Sequence, residues 1–173
     1  METYAFSIIA SGIDPNAEDF ENAFFAAGCD DATIAYQRGV LVLDFAREGR
    51  SFSHAIVSAL SDVRKVGATV ERIEPDPLVS LSEIAKRTGL TKAAISNYAH
   101  GHREEMFPGP VARVTTDSPL WDWVEVARWL RRRDKMVLSR RELINARVVR
   151  DLNLMIAEGR AKPNLKSRSL TPA

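Results

Sequence analysis

Cysteine is almost absent from the sequence, because Cys29 is the one example in 173 residues. A lone cysteine excludes an intramolecular disulfide framework and fits a reducing compartment, so we expect a cytoplasmic protein. No basic residue is adjacent to Cys29 to lower the pKa of its thiol. A structural cysteine is therefore a better interpretation than a redox sensor.

Long apolar runs are also missing. None approaches the roughly 20 residues that a membrane-spanning helix needs. The first residues lack the basic start and apolar centre of a secretory signal. We therefore expect no membrane partner.

The residue sets that identify enzymes are lacking as well. The sequence has no evident nucleophile with a paired base, no metal-ligand spacing and no glycine-rich phosphate loop. The Asp30-Asp31 pair follows a predicted helix end, where turn and strand-start roles are commoner than acid–base or metal chemistry. We predict no enzyme activity, no catalytic residue, no cofactor and no metal site.

The net charge of +1 conceals a division between the two halves of the chain. Residues 1–79 contain 13 acidic and 6 basic residues, a net charge of −7. Residues 80–173 contain 10 acidic and 18 basic residues, a net charge of +8. This asymmetry suggests that the second half faces an anionic partner, although chance and a basic tail would produce the same count.

The first half alternates strand-like and helix-like patterns. The predicted order is strand 4–9, helix 17–27, strand 32–37, strand 40–45, helix 51–66 and strand 68–73. Arg38-Gly39 fits a hairpin turn, and Pro75 and Pro77 form a linker that ends the sheet. The βαββαβ order predicts a ferredoxin-like domain over residues 1–77, with two helices on one face of an antiparallel sheet. Since that fold is widely reused, we assign it only regulation, oligomerisation or binding of a protein partner or effector.

Residues 81–98 carry the spacing of a helix-turn-helix. Ala85, Gly89 and Ile95 follow the pattern Ala–x3–Gly–x5–Ile. The small residue lets two helices approach, and the glycine takes the positive φ of the turn. Ser82 fits the N-cap of the first helix, and Thr91 fits that of the second.

The outward face of the second predicted helix suits a DNA major groove. It holds Thr91, Lys92, Ala93, Ser96 and Asn97, which are short side chains with one cation. An asparagine can pair bidentately with adenine, and an alanine can touch a thymine methyl group. Thr91 and Lys92 at a helix N-terminus suit phosphate oxygens.

Two further residues after this helix, His100 and Arg103, are predicted DNA contacts. His100 and His102 could also suggest a metal site, but no cysteine is near them, and contact with phosphate or water is the better interpretation. Arg131-Arg132-Arg133 fits either a solvated helix end or a DNA-backbone contact, and the sequence does not separate the two.

A wing and a closing helix follow. Residues 111–115 and 119–121 predict two strands around a Thr116-Asp117-Ser118 tip, and residues 123–133 predict a helix. The three tryptophans of the chain lie in this region. We assign them to core packing rather than to stacking on nucleic-acid bases.

Two phrases make this combination specific. They are Phe107-Pro108-Gly109-Pro110-Val111 before the wing, and Trp121 followed by Glu125-Val126-Ala127-Arg128-Trp129-Leu130 after it. With them, residues 79–130 resemble the winged helix-turn-helix shared by MerR-type regulators and the AlpA/excisionase group of phage proteins. The resemblance does not reach residues 1–77.

The resemblance implies a mode of DNA binding. In that group the second helix enters the major groove, and the wing contacts the backbone or the minor groove. Carried over, this implies contacts from Lys92, Ser96, Asn97 and Tyr98 on the helix and from Arg113 on the wing. MerR-type proteins dimerise through a helix placed after the winged domain, so the resemblance also implies a homodimer.

The chain departs from the MerR-type pattern at several positions. Ala93 and Ala94 occupy positions that are often arginine, and Glu104-Glu105 places negative charge near the presumed DNA face. The effector-binding cysteines of MerR-type proteins are absent. We therefore expect that one DNA-binding domain binds DNA weakly, that two such domains are needed, and that the protein does not sense metals.

The remaining segments follow a DNA-binding domain that the sequence predicts over residues 78–134. Residues 139–159 predict a long helix whose apolar face either packs on the same chain or pairs two subunits. Residues 160–173 predict a disordered basic tail.

The combined prediction is a sequence-specific DNA-binding transcriptional regulator that acts as a dimer on double-stranded DNA. The expected activity is repression, with an antitoxin-type or phage-type repressor as one version. Two alternatives stay open. One is an excisionase-like architectural protein that bends DNA, and the other is a protein-interaction adaptor that has lost DNA binding.

Overall fold

The computed structural model describes residues 1–101, 106–135 and 139–159. These residues form a mixed α+β fold with six helices and an antiparallel sheet. The chain divides into two compact units: unit 1 contains Met1–Ile73 and a segment that begins at Leu152, and unit 2 contains Glu74–Asp151. No helix among the described residues combines the length and the apolar content that crossing a bilayer requires.

Unit 1 is built on a four-stranded sheet. Its elements are β1 (Glu2–Ser11), α1 (Phe20–Ala27), β2 (Ala32–Gln37), β3 (Val40–Gly49), α2 (Phe52–Lys65) and β4 (Thr69–Glu74). The strand order is β2-β3-β1-β4, and β3 pairs antiparallel with both β1 and β2. The element order therefore matches the predicted βαββαβ sequence.

The buried side chains of β3 follow period 2, as one-sided burial of a sheet requires. Leu41, Leu43 and Phe45 are buried, and Asp44 between them is exposed. Ser51 caps α2 by accepting a hydrogen bond from the amide of His54. The core of unit 1 thus lies between the sheet and its helices.

The predicted bounds in unit 1 differ most from the structure at the start of α1 and at the end of β3. Helix α1 begins at Phe20 rather than at residue 17, because Asp14 forms a turn that bonds the amides of Asn16 and Ala17. Strand β3 continues to Gly49 rather than ending at Phe45.

The extension of β3 carries a buried arginine. Arg47 is 7% exposed and donates from Nε and Nη2 to both carboxylate oxygens of Asp31, at 2.8 and 2.7 Å. Its Nη1 donates to Asp62 at 2.6 Å, and its Nη2 also donates to the carbonyl of Gly28. Hydrogen bonding to Asp31 raises the pKa of Arg47 above its already high value. Asp31 therefore has a structural ion-pair role in addition to its place in a turn.

Unit 2 consists mainly of short helices. Its elements are β5 (Leu78–Val79), α3 (Leu81–Thr88), α4 (Lys92–Ala99), β6 (Trp121–Asp122), α5 (Trp123–Arg132) and the first part of α6 (Arg140–Ala157). The last residues of α6, from Leu152, fall in unit 1. The boundary between the two units therefore lies at residues 73 and 74, against the predicted 77 and 78, and α6 is divided between the units.

The centre of unit 2 is an aromatic core. We use that name for Tyr98, Phe107, Trp121, Trp123 and Trp129, which belong to or pack against one buried cluster. All three tryptophans are buried, which confirms their assignment to core packing. Leu143 and Ala146 of α6 pack against the same cluster, so part of the apolar face of α6 is used within the chain.

The first helix of the predicted motif begins earlier than expected. Ser80, not Ser82, is the N-cap of α3, because its Oγ accepts from the amide of Glu83 at 3.3 Å. The Glu83 carboxylate accepts from the amide of Ser80 at 2.7 Å. This reciprocal pair is a capping box, in which two unpaired amides of the helix end are satisfied at once.

Candidate nucleic-acid interface

Helices α3 and α4 meet at the turn that the sequence predicts. Gly89 ends α3 with φ of +72°, in the left-handed region that glycine adopts without strain. Thr91 caps α4 by accepting from the amide of Ala94 at 3.1 Å. Ala85 and Ile95, the other two residues of the predicted spacing, are both buried.

Helix α4 has one buried side and one open side. Ile95 is fully buried, whereas Lys92, Ala93 and Asn97 are exposed and Ser96 is half-buried. Because residues four apart share a helix face, Lys92 lies in one row with Ser96, and Ala93 lies in the next row with Asn97. The structure thus brings these four predicted contacts together on one surface, with exposed Thr91 at its start.

Tyr98 lies on the other side of α4. It is 4% exposed, and its ring centroid lies 5.2 Å from that of Trp129 and 6.4 Å from that of Phe107. The buried Tyr98 ring is therefore not presented to DNA, contrary to the prediction. Its role is to anchor α4 on the aromatic core, which the resemblance alone did not distinguish from base contact.

His100 caps the end of α4 and contacts Ser96. The His100 Nδ1 lies 2.7 Å from the Ser96 carbonyl, which can only accept, so Nδ1 carries a proton and donates it. The Ser96 Oγ lies 3.2 Å from the same nitrogen. These contacts orient both side chains on the open side of α4.

The predicted two-stranded wing was wrong in extent. Ala112 and Leu120 form a single bridge, with the Leu120 amide donating to the Ala112 carbonyl at 2.9 Å. The residues after the tip instead form β6, which pairs antiparallel with β5 through Val79 and Trp121. The sequence pattern does not predict this pair of two-residue strands, because two residues are too few to show the alternation of a strand.

Arg113 lies at the start of the predicted wing tip. It is exposed, its φ is +52°, and its carbonyl accepts from the amide and the hydroxyl of Thr116 at 3.0 and 2.9 Å. The turn therefore holds the backbone of Arg113 in place while the side chain faces solvent. Arg103, the other predicted arginine contact, lies outside the described residues, as do His102 and Glu104-Glu105.

Phe107 and Pro108, which precede the predicted wing, both contact tryptophans of the aromatic core. The Trp121 indole donates to the carbonyl of Pro108 at 3.0 Å. The Phe107 ring packs edge-on against Trp129, with 5.0 Å between centroids. The sequence segment that includes Phe107 and Pro108 therefore has a packing role in this chain.

Several arginines of unit 2 are engaged in packing or ion pairs. Arg133 lies over the Trp129 ring at 4.3 Å, and Arg87 lies over the Trp123 ring at 5.1 Å. Burial lowers the pKa of Arg87, and its Nη2 donates to the Asp76 carbonyl. Arg131 and Arg132 are exposed, so the basic run at the end of α5 is divided between core packing and surface.

A recess of about 340 Å³ lies beside α5 and is separate from the α4 surface. Its lining includes Pro108, Val111, Glu125, Arg128 and Trp129. Its lining also includes Arg132, but none of the residues predicted to contact DNA from α4.

The described residues contain no group of three or more His, Cys, Asp or Glu side chains arranged to hold a metal ion. No protein-family model, curated protein or solved structure matches this chain.

Proposed function

We propose that this protein is a sequence-specific DNA-binding transcriptional regulator whose unit 2 is a winged helix-turn-helix. The observation that carries the proposal is the two-sided character of α4. Ile95 and Tyr98 fix one side in the core, while Lys92, Ala93 and Asn97 are exposed on the other. A capped helix with short exposed side chains has the shape and chemistry that a major groove accepts.

The electrostatics of the α4 N-terminus support this proposal. Lys92 is the first residue of α4, where the unpaired amides already carry partial positive charge. A cation there is slightly unfavourable, and a bound anion would offset this. A DNA phosphate would accept from both the helix amides and Lys92.

For unit 1 we propose the ferredoxin-like arrangement and a role in regulation or assembly. The strand order β2-β3-β1-β4 supports that arrangement, since it is what an antiparallel βαββαβ chain adopts when its first and third strands are central. The fold itself does not specify a ligand.

The first experiment tests base reading by Asn97. Duplexes selected from a randomised pool by the wild-type chain would be used in fluorescence anisotropy, together with an unselected duplex. We expect Asn97→Ala to weaken binding to the selected duplex by about 1–3 kcal/mol and to leave the unselected duplex almost unaffected. Asn22→Ala, an exposed substitution on α1, is the matched control and should change neither affinity.

The second experiment tests phosphate contact by Lys92. The salt dependence of binding would be measured for Lys92→Ala on both duplexes. We expect equal weakening on both and a salt slope reduced by about 1. Lys65→Ala removes a lysine of unit 1 that pairs with Asp62, and it should leave the slope unchanged.

The outcomes separate the three candidate functions. If the wild-type chain retains no duplex at low salt, DNA binding is excluded and the adaptor function is favoured. If both variants lose affinity equally on every duplex, Asn97 does not read bases. A long footprint with strong DNA bending would favour an architectural protein over an operator-bound regulator.

A further inference from the structure

The two edges of the unit 1 sheet differ in how their backbone groups are protected. Exposed sheet edges attract other strands, and proteins commonly block them with charge, proline or a covering element. β4 is one edge and β2 is the other.

The β4 edge is blocked in two ways. Three of its six residues are charged, namely Glu71, Arg72 and Glu74. In addition, the Asn153 side chain accepts from the amide of Ile73 at 2.7 Å and donates to its carbonyl at 2.8 Å. An amide side chain therefore occupies the backbone positions that a further strand would use.

Among the described residues, the β2 edge has none of these protections. Its sequence, Ala-Thr-Ile-Ala-Tyr-Gln, contains no charged residue and no proline. Its pairing with β3 is continuous from Ala32 to Gln37, without a bulge. Tyr36 is 55% exposed. In the part of the chain that the structure describes, no further strand pairs with this uncharged edge.

The hairpin turn decides which backbone groups of β2 face outward. Arg38 and Gly39 have φ of +53° and +84°, as in a two-residue turn with both central residues left-handed. Such a turn is closed by a hydrogen-bonded pair, here Gln37 with Val40. Hydrogen-bonded pairs alternate along an antiparallel ladder, so Ala35 also bonds to β3. The backbone groups of Ile34 and Tyr36 then point away from the sheet.

We propose that β2 pairs antiparallel with β2 of a second copy of this chain, about a two-fold axis at Ala35. In this register Ile34 of each copy exchanges two backbone hydrogen bonds with Tyr36 of the other. The pattern is self-complementary, which is what an isologous interface requires. The absence of charge along β2 means that no like charges are brought together when two identical strands pair.

The side chains suit the same register. Tyr36 of one copy lies opposite Ile34 of the other, and aromatic residues paired with β-branched residues stabilise antiparallel strands. The two Ala35 side chains meet at the axis in a pair without hydrogen bonds, where side chains come closest and small residues fit. This pairing rests on unit 1 alone and does not depend on DNA binding by unit 2.

The test introduces a charge of either sign at Ala35 in the full chain. Self-association without DNA would be measured by sedimentation equilibrium. Ala35 is exposed, so substitution there need not disturb the core. We expect the wild-type chain to dimerise, and Ala35→Glu and Ala35→Lys each to weaken self-association by about tenfold or more, because like charges meet at the axis. An equimolar mixture of the two variants should form a heterodimer.

The matched control is Ala5→Glu. Ala5 is exposed and shares the open sheet face with Ala35, since it pairs with Ala46 of β3, but it lies on the central strand β1. The Ala5→Glu variant should dimerise like the wild-type chain. A wild-type chain that stays monomeric, an Ala35→Glu variant that still dimerises, or variants that fail to associate when mixed would each overturn the proposal.

Discussion

The two units of this chain are stabilised by opposite kinds of centre. In unit 1, one buried arginine joins β3 to α2 and to the loop before β2 through Asp31 and Asp62. In unit 2, the centre is the aromatic core, with Ile84 and Ile95 fully buried beside it. A fixed ionic centre is sensitive to the loss of one partner, whereas an apolar centre is sensitive to lost volume.

The chain supplies a separate probe for each unit. All three tryptophans are in unit 2, so tryptophan fluorescence reports its unfolding. Cys29 is 2% exposed in unit 1, and burial, followed by the nearby Asp62 carboxylate, raises the pKa of its thiol to about 11. The folded thiol is therefore neutral at pH 8, and its reaction with a disulfide reagent measures the opening of unit 1.

The largest effect is expected from Arg47→Met. It leaves Asp31 and Asp62 without their main partner, and it should destabilise unit 1 by about 3–4 kcal/mol. Denaturant unfolding, followed by Cys29 labelling and by tryptophan fluorescence, would measure the two units separately. We expect the labelling transition to move and the fluorescence transition to stay.

Arg50→Met is the matched control, because Arg50 is exposed three residues further along. It should change stability by no more than about 0.5 kcal/mol. Equal shifts of both transitions in Arg47→Met would contradict the separation, since they would mean that the two units unfold as one.

In unit 1 the order of the strands and helices could be predicted from the sequence, but the buried ion pair of Arg47 was not predicted. The number and order of these elements were predictable, because period-2 and period-3.6 patterns are strong there. The ion pair was missed because β3 was ended at Phe45. Extending the alternation of Leu41, Leu43 and Phe45 by one step would have placed Arg47 on the buried face, where an arginine needs acidic partners.

The second prediction concerns the apolar centre of unit 2. Ile95→Ala leaves a cavity between α4 and its neighbours and should destabilise unit 2 by about 3 kcal/mol. The fluorescence transition should move while Cys29 labelling stays. Ile144→Ala, at a 41% exposed position on α6, should cost less than about 1 kcal/mol. A comparable loss in both variants would show that Ile95 has no special place in the core.

The third prediction separates two serines at the start of α3. Ser80→Ala removes the observed cap and should destabilise unit 2 by about 1 kcal/mol. Ser82→Ala, at the exposed position that the sequence suggested, should have an effect within about 0.5 kcal/mol. Reversed effects in fluorescence-monitored unfolding would restore Ser82 as the cap.

The candidate site was predictable where local rules decide. Gly89 at the turn and Thr91 at the cap follow from backbone conformation and helix-end hydrogen bonding, which depend on a few neighbours. The placement of Tyr98 in the core and the pairing of β5 with β6 depend on residues distant in sequence, Trp129 and Val79 among them. Patterns within one segment do not contain that information.

The smallest effect is expected at Glu83, a surface carboxylate that contrasts with the buried ion pairs of unit 1. Hydrogen bonds from the amide and hydroxyl of Ser80 lower the pKa of Glu83. A depressed carboxyl pKa stabilises the fold above the unfolded value, near 4.3, and this contribution is lost as the pH falls through the folded pKa. The wild-type chain should therefore exceed Glu83→Gln in fluorescence-monitored stability at pH 7, by less than about 1 kcal/mol.

That advantage should be smaller at pH 3 than at pH 7, because Glu83 becomes protonated, and neutral like the glutamine, as the pH falls through its lowered pKa. Glu21→Gln, at an exposed position on α1, provides a control for the loss of one surface carboxylate. It should leave the fluorescence transition unchanged at both pH values. If the difference between wild type and Glu83→Gln were the same at pH 7 and pH 3, the charge of Glu83 would not contribute, and the capping box would stabilise α3 through Ser80 alone.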